Sequence, residues 1–335
     1  MNTLAILWPR EERPVPQSTE WRPTRFGRDV HAGLRAAAKA IPAKYFYDSH
    51  GSALFEQICR LPEYYPTRTE RKILRDNARE IAAIIGADVE VVEFGAGAAE
   101  KVRLLLDALP RPAGYLPIDI SGPHLTEAVA PLARHYPDVT IRVVAGDFTQ
   151  ALPLPAPLPQ ARCRVGFFPG STIGNFTPDE ALAFLRNAAA MLRSEGSQGA
   201  GLLIGVDLVK DPALLHAAYN DSAGVTAAFN LNLLQRINRE LNGDFDLGAF
   251  DHYAFYQPTQ HRIEMHLVSR RAQTVTLCNQ RYSFAAGESI HTENSYKYTP
   301  ASFRQLAEKA GFRPAAMWTD DDSLFSLHWL ALPDA

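Results

Sequence analysis

Residues 291–298 read HTENSYKY and bring together an acid, an amide, a hydroxyl, two phenols and a cation. Glu293 and Ser295 are two positions apart, so an extended backbone turns both side chains to one face. A carboxylate can accept an N–H and a hydroxyl can donate or accept, which together suit a ring carrying two nitrogens. A solvated surface hairpin is the plain alternative for this octapeptide taken alone. A second set of acids closes three apolar runs: Glu93 in VVEFGAGAAEK, Asp119 in YLPIDIS and Asp147 in AGDF. Gly95 and Gly97, just after Glu93, let backbone approach a bound nucleotide closely. Ala98–Ala99–Glu100 replaces the third glycine of a dinucleotide fingerprint, which counts against pyrophosphate binding. Asp119 lies where doubly wound folds place a carboxylate on a ribose diol. A lone Asp at a strand end is more often a helix N-cap, but three acids recurring in order mark the sheet edge where open α/β folds bind ligands.

The elements that must position these groups alternate between helix and strand from about residue 67. VEVVEF (89–94), YLPIDI (115–120), IRVVAGDF (141–148), RVGFFPGS (164–171) and GLLIGVDLV (201–209) are candidate parallel strands, rich in β-branched and aromatic residues. TRTERKILRDNAREIAAIIG opens with Thr67 and Glu70 at capping-box spacing and predicts one helix. Thr177, Pro178 and Glu180 open another, and Thr299–Pro300 a third that Gly311 closes. Between about 211 and 298 the pattern changes to a long helical stretch followed by runs that alternate like antiparallel strands. The expected division is a core over 67–210 and 299–335, a second α+β domain from 20–66 and 211–298, and an N-terminal extension over 1–19.

Composition narrows the function. The chain has 335 residues, 46% of them hydrophobic, enough for a sizeable core. A net charge of −3 from 34 basic and 37 acidic residues offers no basic field for nucleic acid or an anionic membrane. Small molecules are the expected partners, with no obligate protein partner evident. The N-terminus MNTLAILWPREERP has too short an apolar run for a signal peptide or a spanning helix, so a cytoplasmic location is expected. Cys59, Cys163 and Cys278 form no C-x-x-C pair, and the ten histidines show no clustered ligand spacing, so no metal is expected.

The ordered acids, with a β pair after the 299–310 helix supplying a reversed final strand, resemble S-adenosylmethionine-dependent methyltransferases of the Rossmann-like type. FYDSHGSALFEQICRLPEYYPTRTE (46–70), FFPGSTIGNFTP (167–178), DLVKD (207–211), AYNDSAGVTAAFN (218–230), RIEMHL (262–267) and TENSYKY (292–298) resemble the histidine-specific Nα-methyltransferases of ergothioneine biosynthesis. The likeness runs from about residue 30 to the C-terminus. It implies an α/β fold with a class I methyltransferase core, S-adenosylmethionine as methyl donor without a metal, and trimethylation of the α-amine of L-histidine. The alternative is methylation of another amino acid or a tryptophan-derived amine.

Residue by residue, the resemblance implies a cofactor pocket of Glu93, Gly95, Gly97, Asp119, Asp147 and Phe148. Glu93 would shape the glycine loop, Asp119 hold the ribose and Asp147 face the adenine, with Tyr47 and Lys101 as further contacts. Asn175 and Tyr219 would clamp the substrate carboxylate, and Gly170 would lie near the amine. Glu293 and Ser295 would hold the imidazole, beside Met265 and Tyr64. The Tyr47 hydroxyl would offer a route for the departing proton.

Overall fold

The computed structural model describes residues 5–7, 24–97, 99–120, 122–193 and 198–333. In chain order the strands are β1 (Ala5–Leu7), β2 (Val89–Phe94), β3 (Gly114–Asp119), β4 (Thr140–Ala145), β5 (Cys163–Phe168), β6 (Gly201–Asp207), β7 (Phe250–Gln257), β8 (Arg262–Ser269), β9 (Gln273–Leu277), β10 (Gln280–Phe284), β11 (Ser289–Tyr296), β12 (Arg313–Thr319) and β13 (Phe325–Ala331). The chain divides into two compact units.

The first unit holds β1 with the described residues of 66–209 and 297–333. Its eight strands form one sheet in the order β1-β4-β3-β2-β5-β6-β13-β12. The first six pair in parallel, and β13 lies antiparallel to both β6 and β12. This is the mostly parallel sheet with a reversed strand expected of a class I methyltransferase. Every residue of β2, β5 and β6 is buried, because these central strands are covered on both faces, and they are mostly apolar. Four charged residues, Glu90, Glu93, Arg164 and Asp207, are buried in them nonetheless, and Glu90 is held by Arg164 at 2.9 Å and by Arg142. The parallel order brings the ends of β2 and β3, with Glu93 and Asp119, to one edge of the sheet. Of the N-terminal extension, Ala5–Leu7 adds an edge strand to this sheet; the rest of 1–19 lies outside the described residues.

The local signals fare unequally. Thr177 and Glu180 make their reciprocal box, and Thr299 caps its helix with Ser302. The run expected as one helix over 67–86 is two, Tyr65–Asp76 and Ala78–Ile85, interrupted at Asn77. Thr67 is therefore inside a helix, and Glu70 caps nothing.

The second unit holds the described residues of 11–65 and 210–296. Its strands form a three-stranded antiparallel sheet, β11-β8-β7, and the hairpin β10-β9. Strand β8 alternates half-buried and buried residues along its length, the mark of a sheet packed on one face. That face meets the helix Val225–Leu241, which buries Phe229, Leu233 and Ile237. The helix Ser49–Ile58 is capped by Asp48, whose carboxylate also accepts from Asn232 and Arg239. Among the described residues no helix is long and apolar enough to cross a membrane.

Candidate active-site residues

In the first unit the glycine loop hangs from the end of β3. The amides of Gly95 and Ala96 donate to the Ile118 carbonyl at 2.8 and 3.1 Å, and that of Gly97 to Asp119 Oδ2 at 3.2 Å. Gly95 has φ +70°, a backbone that favours glycine, and a Cβ there would press on the Phe148 ring at 3.2 Å. Phe148 in turn packs with Phe94, Phe168 and Phe184. Asp147 Oδ1 accepts from the amide and hydroxyl of Thr149 at 3.1 and 2.5 Å, a turn that fixes the carboxylate just past β4.

Glu93 lies buried beneath this loop and accepts from the Tyr115 hydroxyl. Burial pushes its carboxyl up to about 8, against the opposing pull of Tyr115 and Lys101. It therefore stays protonated near neutral pH.

Lys101 is no solvated helix residue. Its ammonium sits 2.5 Å from Glu70, which is completely buried, and both Glu70 oxygens accept the Gly170 amide at 2.8 and 2.9 Å. Gly170 has φ +81°, and Ser171, at φ +55°, accepts the Asp207 amide on its hydroxyl at 2.9 Å. Asn175 ends the short helical turn that follows. Glu70 is the residue that sequence reasoning missed here, because its capping-box spacing gave it a local role.

In the second unit Tyr47, Phe55, Tyr64 and Phe229 form a chain of edge-on and tilted rings with centroids 5.7–6.2 Å apart. Burial above all, then the neighbouring Tyr219, holds the Tyr64 phenol well above its usual range. Tyr219 ends the helix Pro212–Tyr219 and donates its hydroxyl to Ser295 Oγ at 2.6 Å. Expected at the carboxylate clamp, its hydroxyl thus lies at the residue expected to hold the imidazole.

Glu293 and Ser295 share a buried face of β11, opposite Met265 and Ile263 of β8. Strict alternation from the buried Ile290 would have turned 292 and 294 inward instead. The register shifts between His291 and Glu293, a β-bulge at Thr292 that resets the phase. The bulge is anchored: the Thr292 hydroxyl lies 2.8 Å from Asn230 Oδ1 and 3.0 Å from the Met265 carbonyl. Asn230 Nδ2 donates to His252 Nδ1 at 2.9 Å, and His252 Nε2 donates to the Tyr219 carbonyl at 2.9 Å. Burial lowers the His252 pKa and keeps the ring neutral, as this arrangement requires. A ring of contacts thus runs Thr292, Asn230, His252, Tyr219, Ser295. No sequence signal marks Asn230, Thr292 or His252, since each partner lies far along the chain.

The donor set fits the proposed ligands. Glu70 and Asp119 outnumber the Lys101 cation, so a positively charged sulfonium meets a field of the right sign. The glycine at 95, whose φ of +70° disfavours a side chain, leaves bare backbone that suits close approach of a nucleoside.

The sequence profile of the family described as "Histidine-specific methyltransferase, SAM-dependent" matches residues 26–332. The chain is 47% identical over 306 residues to a histidine N-alpha-methyltransferase of Mycolicibacterium smegmatis, covering 90% of this chain and 92% of that one. It is 43% identical to the protein of the same name from Mycobacterium tuberculosis, again over 90% and 92% of the two chains. An "Ergothioneine biosynthesis protein 1" of Neurospora crassa is 30% identical, covering 88% of this chain but 33% of that longer protein. With that match spanning nearly the whole chain, this protein belongs to the family of histidine-specific, S-adenosylmethionine-dependent methyltransferases.

Proposed function

We propose that the protein transfers three methyl groups from S-adenosylmethionine to the α-amine of L-histidine, giving the betaine hercynine as the first step of ergothioneine biosynthesis. It would act in the cytoplasm on small molecules alone, without nucleic-acid, membrane or obligate protein partners. The observation that carries this reading is the bulge at Thr292, which turns Glu293 and Ser295 together onto a buried face beside Met265 and Tyr219. A carboxylate that accepts and a hydroxyl that does either suit the two nitrogens of an imidazole, and such a buried polar pair penalises ligands that leave it unpaired.

Asp119, Asp147, Phe148 and the glycine loop would hold the donor, with Tyr47 and Lys101 as further contacts. Asn175 and Tyr219 are assigned to the carboxylate, as neutral donors that add no cation near a sulfonium. The donor supplies an electrophilic methyl, so each transfer forms a C–N bond, breaks a C–S bond and leaves a neutral thioether. The amine attacks only after losing a proton, and a Tyr47 hydroxyl or a water carries that proton away. Positioning supplies much of the acceleration, about 7–11 kcal/mol where the reacting atoms are held in line. The test is mass spectrometry of products after incubation with S-adenosylmethionine and all twenty amino acids in one pool. Trimethylated histidine as sole product is expected; methylation of a different amino acid would overturn the ring assignment.

A further inference from the structure

We propose that Glu264, His266 and His291 form a divalent-metal site on the face of the β8–β11 ribbon opposite Glu293 and Ser295. The histidines show no ligand spacing in the sequence, but the fold brings two of them together with a carboxylate. Glu264 and His266 are two apart on β8 and so share a face. His291 is the direct cross-strand partner of His266. One donor atom from each of the three lies within 4.8 Å of the others. Ligands about 2.0–2.2 Å from one tetrahedral ion stand roughly 3.4 Å apart; Glu264 Oε2 and His266 Nε2 are already 3.1 Å apart, and side-chain rotation closes the rest.

The surroundings prepare these groups as ligands. The Nδ1 of His266 lies 3.1 Å from the Ser289 hydroxyl, and the Nε2 of His291 lies 3.0 Å from Asn294 Oδ1. Each imidazole therefore has one nitrogen engaged by a neutral oxygen, the outer contact that fixes the tautomer of a metal-bound histidine. The His266 ring is stacked on Phe255 at 5.6 Å, which limits its rotation. Arg262 grips Oε1 of Glu264 from Nε and Nη2 at 2.8 and 2.6 Å, so Oε2 is the oxygen turned to His266. Its charge also keeps the site at moderate affinity. Without metal, one proton between Glu264 and His266 occupies the place the ion would take. The Glu264 and His266 side chains are 13% and 15% exposed, and His266 and Ser289 also line an open groove of about 500 Å³ through which an ion and its waters can enter.

Two imidazoles and a carboxylate suit Zn²⁺, Co²⁺ or Ni²⁺ better than Mg²⁺ or Ca²⁺. The ion would join β8 to β11 immediately before the bulge at Thr292, pinning the register that turns Glu293 inward. It takes no part in methyl transfer.

The test uses the full chain, stripped with a chelator and then titrated with ZnCl₂ by calorimetry and with CoCl₂ by absorbance. About one equivalent should bind the wild type, at least tenfold more tightly than His291→Ala or the near-isosteric Glu264→Gln, each with an unchanged circular dichroism spectrum. Zinc should raise the thermal midpoint of the wild type and of neither variant. Cobalt should give ligand-field bands without a thiolate charge-transfer band. Binding below a tenth of an equivalent, equal binding by both variants, or a thiolate band placing the ion on a cysteine would each overturn the site. Because metal is counted without turnover, the result is separable from the assignment of the methyltransferase reaction.

Discussion

Both carboxylate oxygens of Glu70 accept the amide of Gly170, a hundred residues further along the chain, while the same group holds the Lys101 ammonium. Glu70 is wholly buried, so removing it strands a cation and an amide donor together. Breaking a buried pair in this way costs about 3–5 kcal/mol. Glu70→Ala should accordingly lower the thermal midpoint by many degrees. Glu70→Gln, which keeps one acceptor for Gly170, should fold and bind S-adenosylhomocysteine more weakly, measured by calorimetry. Unchanged binding would deny Glu70 a role in shaping the cofactor loop.

The bulge at Thr292 makes a sharper prediction. Deleting Thr292 removes the extra residue, and strict alternation from Ile290 then leaves Glu293 and Ser295 on the same buried face, paired in regular register but without the Thr292 anchor. Histidine turnover should persist at reduced stability, with S-adenosylhomocysteine affinity within twofold of wild type; complete loss of turnover would show that the bulge itself, and not only the shared face of Glu293 and Ser295, shapes the ring pocket. Thr292→Val keeps the residue count and removes only the hydroxyl. It leaves Asn230 Oδ1 without its Thr292 donor, at a cost of about 1–3 kcal/mol, and should retain turnover at reduced stability.

These two cases show what the sequence could carry. The spacing Thr67–Glu70 is the same as Thr177–Glu180, yet only the second is a cap. The difference is tertiary: a buried Glu70 gains Lys101 and Gly170, which outweigh one exposed capping bond. The central strands β2, β5 and β6 were legible because strands covered on both faces are mostly apolar and β-branched, with their few charges paired or at the strand ends. That Glu293 and Ser295 share a face followed from their spacing, but which face depended on one extra residue, and alternation from Ile290 gives the opposite answer. The contacts among Asn230, His252 and Thr292 join residues 22 to 62 positions apart, with no local pattern to announce them.

Ring recognition should separate from carboxylate recognition. Glu293→Ala removes the acceptor for an imidazole N–H, and loss of a hydrogen-bonding group from such a pocket costs orders of magnitude in kcat/KM. We expect at least a hundredfold loss for histidine, with a wider amino-acid range in the pooled assay. Tyr219→Phe removes the 2.6 Å bond to Ser295, worth about 1 kcal/mol. That bond alone accounts for a loss of about fivefold in kcat/KM; any loss beyond it measures the contact assigned to the substrate carboxylate. Equal losses in the two variants would mean that Tyr219 touches the substrate as strongly as Glu293 does.

Stability should depend on pH through two buried groups of opposite sign. Burial raises the Glu93 carboxyl from 4.5 to about 8, so between those values the folded chain binds more protons than the unfolded one. That contribution is fully present below pH 4.5 and is lost as pH rises towards 8. His328, fully buried beside Phe303, is lowered from 6.5 to about 3, chiefly by burial. Its contribution is lost as pH falls through that lower window, because the unfolded chain takes up the proton first. The two slopes oppose each other between about pH 4.5 and 6.5, and only the Glu93 slope persists from there to about 8. Urea denaturation at steps across that upper window should show the wild type weakening relative to Glu93→Gln, whose amide cannot ionise. Other titrating groups are common to both proteins and cancel in the difference. If the two stability curves run parallel above pH 6.5, Glu93 is not the group that titrates there, and the protonated acid beneath the glycine loop must be given up.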